Sequence, residues 1–123
     1  MAEVDLSFVI PTLNEEKNIP KVVGQFSKLK GIVNYEVIVA APDSETLDIA
    51  RRYSKKDKVV KIFKDPVKGK MFLLILLIKK IKKNDIVILT DGDVWISNNA
   101  VEEIVTLFKN SAIGCVSGNP RPI

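Results

Sequence analysis

The sequence predicts an α/β fold, specifically a three-layer α/β/α sandwich around a mostly parallel sheet, in one domain over residues 1–123. Short apolar runs rich in β-branched residues alternate along the chain with segments of helical periodicity, as in successive β-α-β units. The run at residues 86–89 shows no polar alternation, which favours a central strand buried on both faces. Hydrophobic residues make up 46% and charged residues 28% of the 123, ordinary values for a globular domain.

Five strands and four helices are predicted in strict alternation, which implies parallel pairing through right-handed crossovers. The strands are expected at residues 6–10, 35–40, 58–63, 86–89 and 112–116. The helices are expected from Asn18 to Gly31, from Asp43 or Ser44 to residue 54, over residues 71–83, and from Ser97 or Asn98 onward. Asn, Asp and Ser are good N-caps, and Gly31 suits the C′ position.

The third predicted helix begins with eight consecutive apolar residues, Met71 to Ile78, and is therefore apolar on every side. A helix at a protein surface normally shows a polar face. We favour a helix buried in the core. The alternative is that one face contacts a partner, either a second copy of the chain or the C-terminal half of a longer protein.

Charge and composition exclude some classes of function for this chain. The formal net charge is +4, and the lysines are not interleaved with aromatic residues, so nucleic acid is not an expected partner. The chain has no His, which excludes Ser-His and Cys-His catalytic pairs and His metal ligands within it. The single Cys115 is expected in the core of a protein from a reducing compartment. With no signal peptide or membrane span in the sequence, we expect a cytoplasmic protein, or a full-length protein peripheral at a membrane.

Two carboxylates, Asp91 and Asp93, follow the strand predicted at residues 86–89. Ligands of parallel sheets bind beyond the carboxyl ends of the strands. Residues two apart in an extended chain point the same way, and Gly92 allows the backbone to bend between the two carboxylates. The pair could share one hard divalent cation, although Asp-Gly is also a common turn sequence.

Three segments resemble family 2 glycosyltransferases, which have the GT-A fold. Residues 7–16, ending in Pro-Thr-Leu-Asn-Glu-Glu, resemble the opening strand and loop of that family. Residues 35–39 resemble its second strand, and residues 85–93 resemble the strand that carries its Asp-x-Asp motif. The resemblance covers essentially the whole chain and implies a nucleotide-diphosphate sugar donor, an unknown acceptor, and Mg²⁺ or Mn²⁺.

The resemblance also implies roles for individual residues. Asp93 becomes the metal ligand, and Asp91 reaches the ribose or the waters of the metal, so both belong to the predicted metal site. The loop after the first strand is expected to lie against the nucleoside, through Pro11, Thr12, Asn14 and Glu15.

Three features depart from the family pattern. The family usually has Asp-Asp-x-Ser after the second strand, where this chain has Ala-Ala-Pro-Asp-Ser at residues 40–44, so Asp43 is the only candidate to read the base. Residues 68–70, Lys-Gly-Lys, match a segment of the family near the donor, but bulky residues follow them instead of small and polar ones. Lys68 or Lys70 is a candidate to contact the diphosphate, although a solvated basic loop is equally compatible. No catalytic base is identified, since Glu102 and Glu103 are expected at the surface. The chain is therefore expected to be the donor-binding half of a longer enzyme, or a truncated gene product.

Other protein classes fit the sequence less well or stay open. A sugar-phosphate nucleotidyltransferase needs a Gly-rich, Arg-bearing first loop, and residues 11–16 contain neither residue type. A receiver-type signalling domain needs carboxylates after its first strand, where this chain has Pro-Thr-Leu-Asn. A non-catalytic interaction module that uses the apolar helix from Met71 to Ile78 stays open. Trp95 could shape the edge of the donor or acceptor site, or simply pack.

Overall fold

The computed structural model describes residues 5–26, 34–81, 86–91, 96–97 and 99–118. Strands and helices alternate along these residues, as predicted. The strands are β1 (Asp5–Pro11), β2 (Asn34–Ala41), β3 (Val60–Lys64) and β4 (Ile86–Leu89). The helices are α1 (Ile19–Gln25), α2 (Ser44–Lys56), α3 (Lys70–Lys80) and α4 (Ala100–Phe108).

The four strands form one sheet in the order β3-β2-β1-β4, and every neighbouring pair is parallel. The register places Phe8 of β1 beside Val37 of β2 and Ile88 of β4. The strand order reverses at β1, because the chain first runs outward to β3 and then returns to the other side of β1. Such a reversal opens a crevice at the carboxyl edge of a parallel sheet.

Alternate residues of β1 point to opposite faces of the sheet and enter two separate cores. Phe8 is fully buried in the larger core, which also contains residues of α1, α2 and α4, and its ring centroid lies 4.5 Å from that of Phe26. Val9 belongs to the smaller core beneath α3, with Leu73 and Leu77. The predicted three-layer α/β/α arrangement is therefore confirmed.

The prediction of a central strand at residues 86–89 is wrong for the described sheet, because β4 lies at its edge. Ile86 is buried, but Val87 and Leu89 are 43% and 50% exposed. The apolar run has no polar alternation, yet only one of its faces is covered. The reason is that α3, on the other face, contacts the side chains of β1 and β2 and leaves β4 open.

The preference for a buried core helix at residues 71–78 is also wrong. Leu73 and Leu77 of α3 are buried against the sheet, whereas Met71, Ile75 and Ile78 are exposed, Met71 by 72%. A helix that packs on one side of one sheet can bury only the stripe that faces it. Leu74 and Leu76 are partly buried, and the other apolar side chains of α3 lie at the surface of the described structure.

The fifth strand predicted at residues 112–116 is absent from the described residues, where 113–118 have no regular structure. Gly114 interrupts this short apolar run, and glycine weakens a strand. Cys115, predicted in the core, lies in this irregular segment and is exposed. No helix within the described ranges is long and apolar enough to cross a bilayer.

Candidate functional site at the carboxyl edge of the sheet

The loop after β1 begins at the carboxyl end of an inner strand of the sheet. Pro11 is the last residue of β1 and pairs with Ala40 of β2. Thr12 is buried, and both its backbone N–H and its hydroxyl donate to the carbonyl oxygen of Ala40, at 2.8 and 3.1 Å. The start of the loop is thereby fixed to β2, which holds the following residues above the crevice.

Asn14 and Glu15 continue this loop with their backbone amides turned toward α2. Asn14 has φ = 52°, in the left-handed region that Asn adopts more readily than most residues. Its side chain is exposed, as the prediction of a donor-binding role requires. The Glu15 carboxylate accepts a 2.6 Å hydrogen bond from the side-chain amide of Asn18, just before α1.

Asp43 joins the loop after β1 to the loop after β2. It is the N-cap of α2, with Oδ2 accepting from the Thr46 backbone N–H at 3.0 Å. Its Oδ1 accepts from the Asn14 N–H at 3.1 Å. Burial alone would raise the pKa of Asp43, but hydrogen bonds from the Thr46 hydroxyl and from the two amides outweigh it, so the pKa lies below its ordinary value. The carboxylate is therefore ionised at neutral pH and serves as a fixed acceptor for both loops.

Lys70 and Asp91 meet although 21 residues separate them in the sequence. Lys70 is the first residue of α3, and its Nζ lies 3.4 Å from Oδ1 of Asp91. Asp91 follows β4 by two residues, at the level of Pro11 in the register, since Val9 pairs with Leu89. Both side chains are more than half exposed, so solvent screens the pair and its energy is at most about 1 kcal/mol.

The loop before α3 is strained. Val67 has φ = 59°, which is rare for a β-branched residue, and its N–H donates to Oδ1 of Asp65 at 2.9 Å. Gly69, the N-cap of α3, has φ = 101°, a conformation that favours glycine. This loop carries Lys68, whose Nζ lies 5.3 Å from the centroid of the Phe72 ring. Lys68 thus points to Phe72 of α3, whereas Lys70 points to Asp91.

The rest of the predicted metal motif, Gly92 and Asp93, lies outside the described residues, as does Trp95. The described part of the chain contains no group of three or more His, Cys, Asp or Glu that could hold a metal. Thr90, between β4 and Asp91, has a buried hydroxyl oxygen with no hydrogen-bond partner among the described residues. Among the described residues that follow β4, the oxygen atoms that could bind a metal are thus those of the Asp91 carboxylate and the Thr90 hydroxyl.

Two open concavities lie elsewhere on the surface. One, of about 580 Å³, lies along α4 and is lined by Asn99, Glu102, Glu103, Thr106 and Leu107. The other, of about 330 Å³, lies beside the opposite ends of the strands. Neither includes any of the predicted site residues, and Glu102 and Glu103 are exposed, as expected. We place the candidate site at the carboxyl edge because the predicted polar residues converge there.

Two groups of predicted residues are therefore assembled. Asp43 contacts the loop that carries Asn14 and Glu15, and Lys70 contacts Asp91. Thr46 and Thr90 were missed in the sequence. A single Thr on an amphipathic helix or after an apolar strand looks like an ordinary packing residue, and only three-dimensional contacts reveal its partners.

Residues 7–123 match the sequence pattern of the family described as "Glycosyl transferase family 2". The chain belongs to this family. No curated protein matches the sequence of this family 2 chain significantly.

Solved structures resemble this family 2 chain in fold. One is the mannosyltransferase PcManGT from Pyrobaculum calidifontis in complex with GDP-Man and Mn²⁺, with a TM-score of 0.78 and 19% identity over 96% of this chain. Another is residues 1–349 of S. aureus TarS, with a TM-score of 0.70 and 21% identity over 98% of this chain. A longer TarS structure has a TM-score of 0.68 and 21% identity over 97% of this chain. The matches cover 37%, 39% and 23% of those chains, so this chain spans less than two fifths of their length.

Proposed function

We propose that this chain is the donor-binding part of a glycosyltransferase, which transfers a sugar from a nucleotide-diphosphate sugar to an acceptor with the help of a divalent metal ion. The observation that carries the proposal is the meeting of Lys70 and Asp91 at the carboxyl edge of the sheet, in a chain that belongs to glycosyl transferase family 2. A cation and a carboxylate side by side provide one group for phosphate oxygens and one group for a metal.

The residues at this edge fit a hard divalent cation such as Mg²⁺ or Mn²⁺. Mg²⁺ commonly uses one or two carboxylates and completes its shell with water and substrate phosphates, so a three-carboxylate cluster is not required. Asp91 is exposed and already attracts the cation of Lys70. We assign Asp91 and Asp93 to the metal, Asp93 from its sequence position. When bound, the ion neutralises charge on the diphosphate leaving group.

The other predicted residues are proposed to contact different parts of the donor. Pro11, Thr12, Asn14 and Glu15 form the wall proposed to contact the nucleoside. Lys70, once released from Asp91, offers its ammonium to the diphosphate as a point charge. Asp43 has both oxygens engaged by Asn14 and Thr46, so its contribution is to fix the nucleoside wall, with reading of the base left to its remaining lone pairs.

The likeness to PcManGT, whose structure contains GDP-Man and Mn²⁺, supports a nucleotide-diphosphate sugar and a divalent ion as the ligands to test first. We propose a calorimetric titration of the chain with GDP and with UDP, each with and without Mn²⁺. The same titrations are made on Asp91→Ala and Asp93→Ala. The matched control is Asp48→Ala, which removes an exposed carboxylate on α2 whose partner is Arg51.

Nucleotide binding that requires Mn²⁺, is lost in both site variants and is kept in the control supports the donor site. Failure of the wild-type chain to bind either nucleotide overturns it. A base preference between GDP and UDP would identify the nucleotide of the donor.

A second candidate function, a protein interaction module, is favoured by the exposed apolar side chains of α3. We propose that Met71, Ile75 and Ile78 are covered by protein, either a second copy of this chain or further residues of a longer enzyme. An apolar stripe of this kind on a soluble domain often marks a protein interface. Dependence of molecular size on concentration distinguishes the second copy from the longer enzyme.

A further inference from the structure

Thr46 is a polar side chain inside the protein, on the first turn of α2. It is fully buried, with 0% of its surface exposed. Its hydroxyl donates to Oδ2 of Asp43 and accepts a 3.1 Å hydrogen bond from the backbone N–H of Glu15. Asp43 in turn accepts from the N–H of Asn14. Two successive amides of the loop after β1 are therefore held by the first turn of α2.

The direction of each hydrogen bond follows from chemistry. An ionised carboxylate only accepts, so the single hydroxyl proton of Thr46 must go to Asp43. The hydroxyl lone pairs are then left for the N–H of Glu15. The N–H of Glu15 is partly buried, and such a group is costly without an acceptor, so removal of this hydroxyl favours a loop conformation in which the N–H finds another partner.

The conformation of the loop explains why these hydrogen bonds matter. Asn14 lies in the left-handed region, which a non-glycine residue adopts at a cost. The amide of Asn14 binds Asp43 and the amide of Glu15 binds Thr46, so the turn at Asn14 is fixed from both sides. Without these contacts, a relaxed turn would no longer present the side chain of Asn14 in the same direction.

We infer that Thr46 is a positioning residue for the donor site: its hydroxyl holds Asn14 and Glu15 in the conformation that binds the nucleoside, without contacting the donor itself. The effect on donor affinity rests on the proposed function. The stabilisation of the loop by the Thr46 hydroxyl does not depend on that function, and the two effects are measured separately.

The test compares Thr46→Val, which keeps the shape and removes the hydroxyl, with Thr46→Ser, which keeps the hydroxyl. The matched control is Thr106→Val in α4, where the lost hydroxyl donates to the Glu102 carbonyl at an exposed position. Three quantities are measured on each protein: exchange of the individual Asn14 and Glu15 amides by NMR, the Kd for GDP and UDP with Mn²⁺, and the melting temperature.

In Thr46→Val we expect the Glu15 amide to exchange roughly tenfold faster, and nucleotide affinity to fall by a factor of about 5 to 30, as for the loss of a buried hydrogen-bond partner. Thr46→Ser should restore both values to within about twofold of wild type, because its hydroxyl can form the same bonds. Thr106→Val should leave both unchanged. If Thr46→Val does not fold, Thr46→Ala replaces it, with the same faster exchange expected at Glu15.

Unchanged exchange at Glu15, or a Ser variant as impaired as the Val variant, overturns the inference. A lower melting temperature with unchanged Glu15 exchange and unchanged Kd shows a merely structural role and also overturns it. Faster exchange with unchanged nucleotide affinity overturns the link to the donor. If wild type binds no nucleotide, the proposed function fails, and faster exchange in Thr46→Val still supports the hold on the loop.

Discussion

The side-chain nitrogen of Lys70 lies 3.4 Å from Oδ1 of Asp91, so the first residue of α3 reaches the carboxylate that follows β4. An ammonium group thereby occupies the neighbourhood in which we propose a divalent ion. In the proposed site, the ammonium of Lys70 and the metal ion would compete for the Asp91 carboxylate.

Removal of this competition gives the first prediction. Lys70→Ala should strengthen binding of Mn²⁺ alone by up to about fivefold, which corresponds to the upper limit of an exposed ion pair. The same change should weaken nucleotide-diphosphate binding, because the phosphates lose a positive partner. Paramagnetic resonance of free Mn²⁺ measures the first effect and calorimetry the second. Lys79→Ala, at the other end of α3, is the control, and equal nucleotide affinity in both variants would count against the role of Lys70.

The second prediction concerns Asp43 and pH. Asp43→Ala should lower the free energy of unfolding by about 1 kcal/mol at pH 7, the usual cost of losing an N-cap. The folded-state pKa of Asp43 is lowered, so its contribution is present above the unfolded pKa, about 4, and is lost as the pH falls through the folded value. Urea unfolding at several pH values should show the two proteins converging below about pH 4. Asp48→Ala is the control, and a gap that stays constant down to pH 2 would contradict the prediction.

The third prediction uses the strain at Val67. Val67→Gly should raise the free energy of unfolding by up to about 1 kcal/mol, because relief of a left-handed β-branched residue exceeds the entropic cost of glycine. Chemical denaturation measures the change. Lys68→Gly, at a neighbouring position without a positive φ, adds the same flexibility without relief and should be destabilising. Destabilisation by both changes to the same extent would show that Val67 is unstrained.

The fourth prediction tests the apolar surface of α3. Ile75→Ser should change stability by no more than about 0.5 kcal/mol, since its side chain is exposed, but should reduce any concentration-dependent association. Leu77→Ala, on the buried side of the same helix, should cost about 2–5 kcal/mol. Sedimentation velocity over a range of concentrations measures association, and thermal unfolding measures stability. A wild-type chain that stays monomeric at all concentrations would exclude a second copy of the chain as the partner of the exposed face of α3.

The alternation of strands and helices could be predicted because it depends on local patterns. The apolar runs at β1 and β2 are short and β-branched, and the cap of α2 at Asp43 was one of two predicted positions. The apolar run at residues 86–89 then placed Asp91 at a strand end, where the structure also has it. The N-cap of α4 was missed, because Asn99 occupies it instead of Ser97 or Asn98.

Burial was less predictable, because it depends on what other elements cover. The sequences of β4 and of residues 71–78 in α3 are apolar throughout, but Leu89 and Ile75 are exposed because one sheet of four strands and one helix cannot cover all sides of each other. The sequence at residues 112–116 predicts a strand, yet a strand needs a neighbour to pair with, which a local pattern cannot reveal, and residues 113–118 are irregular. The link between Asp43 and Asn14 joins positions 29 residues apart and was likewise invisible.

The sheet also dictates when the site can form during synthesis. Leu6 of β1 pairs with Ile86 of β4, 80 residues later (86 − 6). At about 5–20 residues per second, one side of β1 therefore waits on the order of 4–16 s on the ribosome for its neighbour. Throughout that interval its backbone amides and carbonyls are open to solvent and to chaperones. Asp91 arrives with β4, so the proposed metal site is complete only after the last strand of the described sheet has been synthesised.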